Sequence, residues 1–313
     1  MNFFYKNPQQ DKYFIEISYT LHLAYWMASD IDYFVENFPK LITKKEISSI
    51  NKNTKILKKM YRDANNKIKL LNGDHKKCAA LLSKYVKHTI DVFLSESPTY
   101  TESESEEAYL TNLHEIDENF RQSYKNYICF SDVNMHRLKA FSKLSKAYLS
   151  ITNFHSYLAW EDENILKEHS LESVIKNLEY ACKYMKQAEL VAIETENSTK
   201  DFFIAYETNN NHCVKDFYDM ELKYTKVWNE LLFVYREFYL TFKDSKNFNF
   251  LEEYELMLHE TTKYEGKINE YGIKICKIIL EVMNISLPQI EIFSSKINHN
   301  PLNMINLKLG TYD

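Results

Sequence analysis

The sequence predicts an all-α fold: an elongated bundle of about eight or nine long helices with heptad-type packing, followed by an extended C-terminal tail. Three observations lead to this prediction. The 313 residues include only four glycines and five prolines, so the residues that tight hairpins and glycine-rich phosphate loops require are scarce. The 24 tyrosines and 19 phenylalanines can fill a large core. Apolar residues recur at alternating steps of three and four in nearly every segment, which is typical of helices packed side by side.

The first three predicted helices carry the clearest apolar seams. The first keeps a strict three-four spacing over residues 14–38 and is expected to end at Pro39. The second covers residues 47–71 and stops at Asn72-Gly73, a pair that favours a left-handed helix cap. Asp74 can then cap the third. Residues 1–96 are therefore predicted to form an N-terminal segment of three antiparallel helices.

The pattern breaks after this segment. Residues 97–107 are rich in serine, threonine and glutamate without apolar periodicity, which predicts an exposed acidic loop. Beyond it, residues 108–287 are predicted to form a C-terminal helical bundle. Its first helices are expected to begin near residues 102, 132 and 170, and the two segments either stay separate or form one continuous domain.

The helix predicted over residues 213–243 has two apolar stripes side by side. The first runs from Phe217 to Phe242 and the second from Trp228 to Tyr239. A helix that is apolar on two sides cannot lie on a surface. This helix is therefore expected at the centre of the bundle, with partners on both flanks.

The last predicted helix covers residues 250–283 and changes its apolar phase near Gly266 and Gly272. Such a change predicts a kink or a stutter. Beyond Pro288 no helical period remains, and residues 288–313 are expected to run extended over the bundle or to hang free.

Cysteine usage and the apolar runs bear on location. The five cysteines fall one to a predicted helix, without a CxxC pair, which is typical of a reducing compartment. The N-terminal residues lack the apolar core of a secretory signal. No run approaches the ~18 apolar residues of a spanning helix. The expected location is the cytoplasm, with a signal-free export route left open.

The patterns typical of catalysis and metal binding are missing from the sequence. No histidine follows an acidic residue by three positions, as a di-iron bundle requires, and HExxH is absent. Asp30-Ile-Asp32 lacks the two adjacent aspartates followed by a third that a DDxxD magnesium motif requires. His88 and His155 lie on apolar seams, where a neutral core histidine is the preferred interpretation. We therefore predict no catalytic, metal or cofactor-binding residues.

Charge is distributed unevenly along the chain. Residues 40–87 contain fourteen lysines and arginines against three acids, and residues 91–118 contain nine acids with no lysine or arginine. In the heptad frame of the second helix, two outward rows of cations form a predicted partner-binding surface, which we call the basic face. Its residues are Lys45, Lys52, Lys55, Lys59, Arg62 and Lys69.

These features predict a non-enzymatic helical protein that binds another protein, such as an immunity or antitoxin protein, an effector or a phage-defence component. Two alternatives stay open: a soluble helical pore-forming toxin subunit, and an all-α enzyme with an unrecognised site. A merely solvated face in a lysine-rich protein from an AT-rich genome is the simplest explanation of the charge. Nucleic acid and anionic membranes are less favoured because the net charge is −5 and arginine is scarce. A homo-oligomer is also open, because apolar seams close equally well between two copies.

Overall fold

The computed structural model describes residues 8–94, 140, 143–144, 146–147, 163–194, 211–245 and 249–297. Within these ranges the fold is all-α, with no strand, as the sequence predicts. Six long helices are described: α1 (Pro8–Asn37), α2 (Lys44–Lys67), α3 (Gly73–Phe93), α4 (Glu163–Glu194), α5 (Asn211–Asp244) and α6 (Phe250–Val282). The acidic loop and most of the fourth and fifth predicted helices lie outside the described residues. The predicted count of eight or nine helices and the heptad packing therefore stay predictions.

The helices pack in a definite order across the molecule. α1 contacts α2, α3 and α6, while α6 contacts α1 on one side and α5 on the other. α5 in turn packs against α4. α6 thus packs against both the N-terminal group and the C-terminal group, and the Trp26 ring of α1 also meets the Tyr224 ring of α5.

The most enclosed helix is α1. Seven of its eight predicted seam residues are buried, and Val35 is the exception. Residues outside the predicted seam are buried as well, among them Ile15, Leu23 and Phe34. The helix predicted to be central, α5, does have partners on two sides, but Phe233 near its middle is 54% exposed. α1 therefore holds the enclosed position that the sequence assigns to residues 213–243.

Two glycines let α1 and α6 approach closely. A Cβ atom on Gly272 would lie 2.6 Å from Cε2 of Trp26, and one on Gly266 would lie 2.6 Å from Oη of Tyr33. α6 runs as one helix through both positions. The glycines therefore provide room for two aromatic rings of α1, and the kink stays a prediction.

Local sequence signals set the ends of α2. The Thr43 side chain caps this helix, since it accepts a hydrogen bond from the backbone N–H of Lys45 and donates to the Glu46 carboxylate three residues on. At the other end a 3₁₀ turn (Ile68–Leu70) leads to Gly73, whose φ of +51° is left-handed, as the Asn72-Gly73 pair predicts.

The buried side of α2 differs from its predicted seam. Ile47, the first seam residue, is 49% exposed, whereas Asn53 and Met60 are buried. Asn53 is buried because it bonds to a residue that is distant in sequence. The Asn53 amide donates to the Glu291 carbonyl (2.7 Å) and accepts from the Glu291 N–H (3.4 Å). A C-terminal segment thus contacts this side of α2.

That segment, residues 285–297, crosses α1 and α2 without a long helix, and we call it the strap. Asn284, with φ of +59°, ends α6, and the Ile285 N–H bonds to the Leu280 carbonyl. Phe293 is fully buried and stacks on Phe34 with ring centroids 5.2 Å apart. This part of the predicted tail therefore belongs to the core, and residues 298–313 lie outside the described residues.

Candidate interaction surfaces

The structure places five residues of the basic face on the outer side of α2 and the sixth, Lys69, in the 3₁₀ turn that follows it. All six predicted cations are exposed: Lys45, Lys52, Lys55, Lys59, Arg62 and Lys69. The opposite side of the helix packs on α1 and, through Asn53, on the strap. The prediction that this row of charges points outward is confirmed, and its use as a binding surface stays a prediction.

The cations of the basic face differ in their surroundings. Lys45 lies near an acid: the Thr43 hydroxyl, with Lys296 and Lys45, lowers the pKa of Glu46. The side chains of the other five form no hydrogen bond or ion pair with any residue that the structure describes. The face therefore presents a nearly uniform positive charge to solvent.

A second surface lies in the C-terminal group and is absent from the sequence predictions. It is a groove of about 990 Å³ across α4, α5 and α6. Its most exposed apolar side chains are Phe233 of α5, at 54%, and Leu256 of α6, at 59%. Two large apolar side chains facing solvent at one groove form a plausible contact point for another molecule.

Several charges inside the groove already have partners. The buried Glu189 carboxylate accepts from the Asn229 amide (2.7 Å) and from Lys186 (2.8 Å). Arg236 pairs with Glu237 at 2.6 Å and lies over the Phe233 ring at 5.5 Å. These contacts hold the floor of the groove in a fixed arrangement.

The α6 side of the groove is acidic. Between residues 249 and 262 the chain has four glutamates and no lysine or arginine. All four are exposed, and we call them the acidic wall: Glu252, Glu253, Glu255 and Glu260. Glu253 and Glu260 line the groove, and the other two lie next to it on the same helix. The sequence signal for this surface is the phase change of the last helix, since Leu256 and Leu258 fall where the apolar stripe leaves the core.

The buried titratable groups point to structural roles. Asp30, at 1% exposed, accepts hydrogen bonds from the backbone N–H groups of Phe293 (2.7 Å) and Ser294 (3.0 Å). Burial raises the pKa of Asp30 to about 6, although these bonds oppose the rise. The Ser294 hydroxyl lies near the same carboxylate but meets no hydrogen-bond geometry, so we count only the two backbone donors.

Burial also shifts the pKa values of cysteine and histidine side chains. Burial raises the pKa of the Cys78 thiol to about 12 and that of the Cys182 thiol to about 11, so neither is a thiolate near pH 7. Burial lowers the pKa of His88, while His155 lies outside the described residues. No group of three or more histidine, cysteine or acidic side chains in the described ranges is arranged to hold a metal ion.

The aspartates of the Asp30-Ile-Asp32 string do not form a clamp. Asp30 faces the strap, while Asp32 is half-buried and its pKa is raised to about 7 by burial and by the nearby Glu36.

None of the helices described is both long and apolar enough to cross a membrane. Comparison of the chain with protein-family models, curated proteins and solved structures gives no match. Function is therefore inferred from two surfaces, the basic face and the groove.

Proposed function

We propose that this is a non-enzymatic binding protein that holds an acidic protein partner on the basic face of α2. The observation that carries the proposal is the set of six exposed cations along α2 and the 3₁₀ turn after it, five of them without a counter-ion among the described residues. Each exposed charge pair contributes little free energy by itself. A row of like charges nevertheless steers an oppositely charged partner and fixes its orientation.

The rigidity of α2 supports this role. The Thr43 cap fixes its start, and its inner side packs on α1. Asn53 ties its inner side to the strap across 238 residues of sequence. Binding to a surface that is already ordered costs less conformational entropy than binding to a mobile segment.

The test is affinity capture from host lysate with the wild type and a four-site charge reversal, with bound material identified by mass spectrometry. The reversal is Lys52→Glu, Lys55→Glu, Lys59→Glu and Arg62→Glu. We expect it to abolish capture while the helical circular dichroism stays unchanged, because all four side chains are exposed.

A matched control carries the same change in net charge on scattered exposed lysines. These substitutions are Lys12→Glu, Lys84→Glu, Lys215→Glu and Lys243→Glu. The control should retain the partner. Equal capture by the wild type and the α2 reversal would overturn the proposal, as would captured material that is lost on nuclease treatment.

A further inference from the structure

We propose that the acidic partner is a second copy of this chain, whose groove receives the basic face of the first. This inference rests on the proposed function, because it names the partner of the same face. It commits to one contact: α2 of one copy against the α5–α6 side of the groove in the next.

Charge complementarity is the first argument. The basic face has six cations and the acidic wall has four glutamates, of which Glu260 already pairs with Lys263. On the α5–α6 side of the groove four glutamates outnumber the two cations, Lys226 and Arg236. Glu253 and Glu255 form no hydrogen bond or ion pair with any described residue, and the same holds for Glu230 on the neighbouring α5. Both surfaces therefore hold unpaired charge of opposite sign.

The dimensions also agree. From Lys45 to Arg62 the basic face extends for about 26 Å at 1.5 Å per residue. The groove-lining residues span about 18 Å along α5, from Lys226 to Phe238, and about 17 Å along α6, from Glu253 to Tyr264. One helix side is thus long enough to cover the groove.

The exposed apolar residues of the groove suit a lysine-rich helix. Lysine side chains bury their aliphatic stems on apolar surfaces while the ammonium groups stay in water. Phe233 and Leu256 would cover such stems, and the ammonium groups would then reach the acidic wall. The Phe233 ring already lies against the Arg236 guanidinium, so this ring is suited to cationic neighbours.

The two surfaces lie on different helices, so the contact is head-to-tail. In a pair, one copy keeps a free groove and the other keeps a free basic face. The assemblies should therefore be rings or chains, and their average size should increase with protein concentration. Salt should weaken it, because the contact depends on exposed charges.

The experiment is sedimentation velocity on the full chain over a concentration series, at low and at high salt. Two variants are compared with the wild type: the α2 reversal defined above, and a reversal of the acidic wall. The wall reversal is Glu252→Lys, Glu253→Lys, Glu255→Lys and Glu260→Lys. We expect wild-type assembly at low salt and an increase of about 100-fold or more in the dissociation constant for either variant alone, since like charges then face each other.

An equimolar mixture of the two variants is the decisive arm. The reversed α2 of one variant is complementary to the reversed wall of the other, so the mixture should assemble although neither variant does so alone. Phe233→Ser in the wild-type background should weaken assembly by about tenfold, since it removes an apolar contact at the centre of the interface. Non-specific attraction between charged molecules would not respond to that change.

Two outcomes overturn the inference: a wild type that stays monomeric at every concentration in low salt, and a mixture that fails to assemble. If the wild type is monomeric but the α2 reversal still loses a partner from lysate, this inference fails and the proposed function stands. If the reversal changes neither capture nor assembly, both fail.

Discussion

α1 and α5 look alike in sequence but occupy different environments. They are 30 and 34 residues long, and both carry apolar residues on more than one side. α1 is covered by α2, α3 and α6, whereas α5 has α4 and α6 as its neighbours among the described helices. Phe34 on α1 is 2% exposed and Phe233 on α5 is 54% exposed. The difference teaches that the number of partners, more than the apolar pattern of a helix, decides how much of it is buried.

Their polar residues show the same difference. Distant parts of the chain bond to the half-buried Ser29 and the buried Asp30 of α1: Asn269 accepts from Ser29 (2.9 Å), and the strap donates to Asp30. The charged residues of α5 near the groove pair locally or face solvent. These two polar residues of α1 are therefore structural, while exposed charges of α5 such as Glu230 are available for contacts.

The largest expected effect tests this comparison with one substitution on each helix. Phe34→Ala should lower the free energy of unfolding by about 3–5 kcal/mol, because it empties a buried site and removes the stack on Phe293. Phe233→Ala should change it by about 0.5 kcal/mol or less, because the ring is largely exposed. Urea unfolding followed by circular dichroism measures both. Equal losses would show that the two helices are buried alike.

The second prediction concerns the buried acid of α1. The folded-state pKa of Asp30 is about 6, above its ordinary value of 3.8. A raised carboxyl pKa favours the protonated folded state, so the stability due to Asp30 is full below pH 3.8 and is lost as pH rises to about 6. Asp30→Asn is neutral throughout. Relative to the wild type it should therefore gain about 3 kcal/mol of stability between these limits.

Urea unfolding of both proteins across this pH range measures the difference. Taking the difference cancels groups common to both, including His22, whose pKa burial lowers to about 4. Parallel pH profiles for the two proteins would contradict the prediction and place the Asp30 carboxylate in a solvated site.

The smallest effect concerns the close approach of α1 and α6. Gly272→Ala should cost about 1–3 kcal/mol, because its Cβ would overlap the Trp26 ring system, which is held at the interface. Trp26→Leu in the same chain should recover part of that loss, since the smaller side chain leaves space. A double-mutant cycle measures this coupling. Strictly additive losses would show that the two residues do not meet.

Sequence by itself determined most of the local structure. The last helix is predicted over residues 250–283 and found as Phe250–Val282, and the helix predicted over 213–243 is found as Asn211–Asp244. α4 begins earlier than predicted, at Glu163 instead of near residue 170. Helix ends follow caps and breakers a few residues away, such as Thr43 and Gly73, so they can be inferred from the sequence. The outward direction of the basic face follows from the helical period alone.

The tertiary structure decided which helix is enclosed, which side of α2 is buried, where the strap lies and that the groove exists. Asn53 is buried because Glu291 meets it across 238 residues, and Gly272 supports packing because Trp26 of α1 lies against it. The helical period of the apolar residues predicts that a helix has a side to bury. It carries no information on which distant segment covers that side. Surfaces assembled from several helices, such as the groove, therefore appear only when the long-range contacts are known.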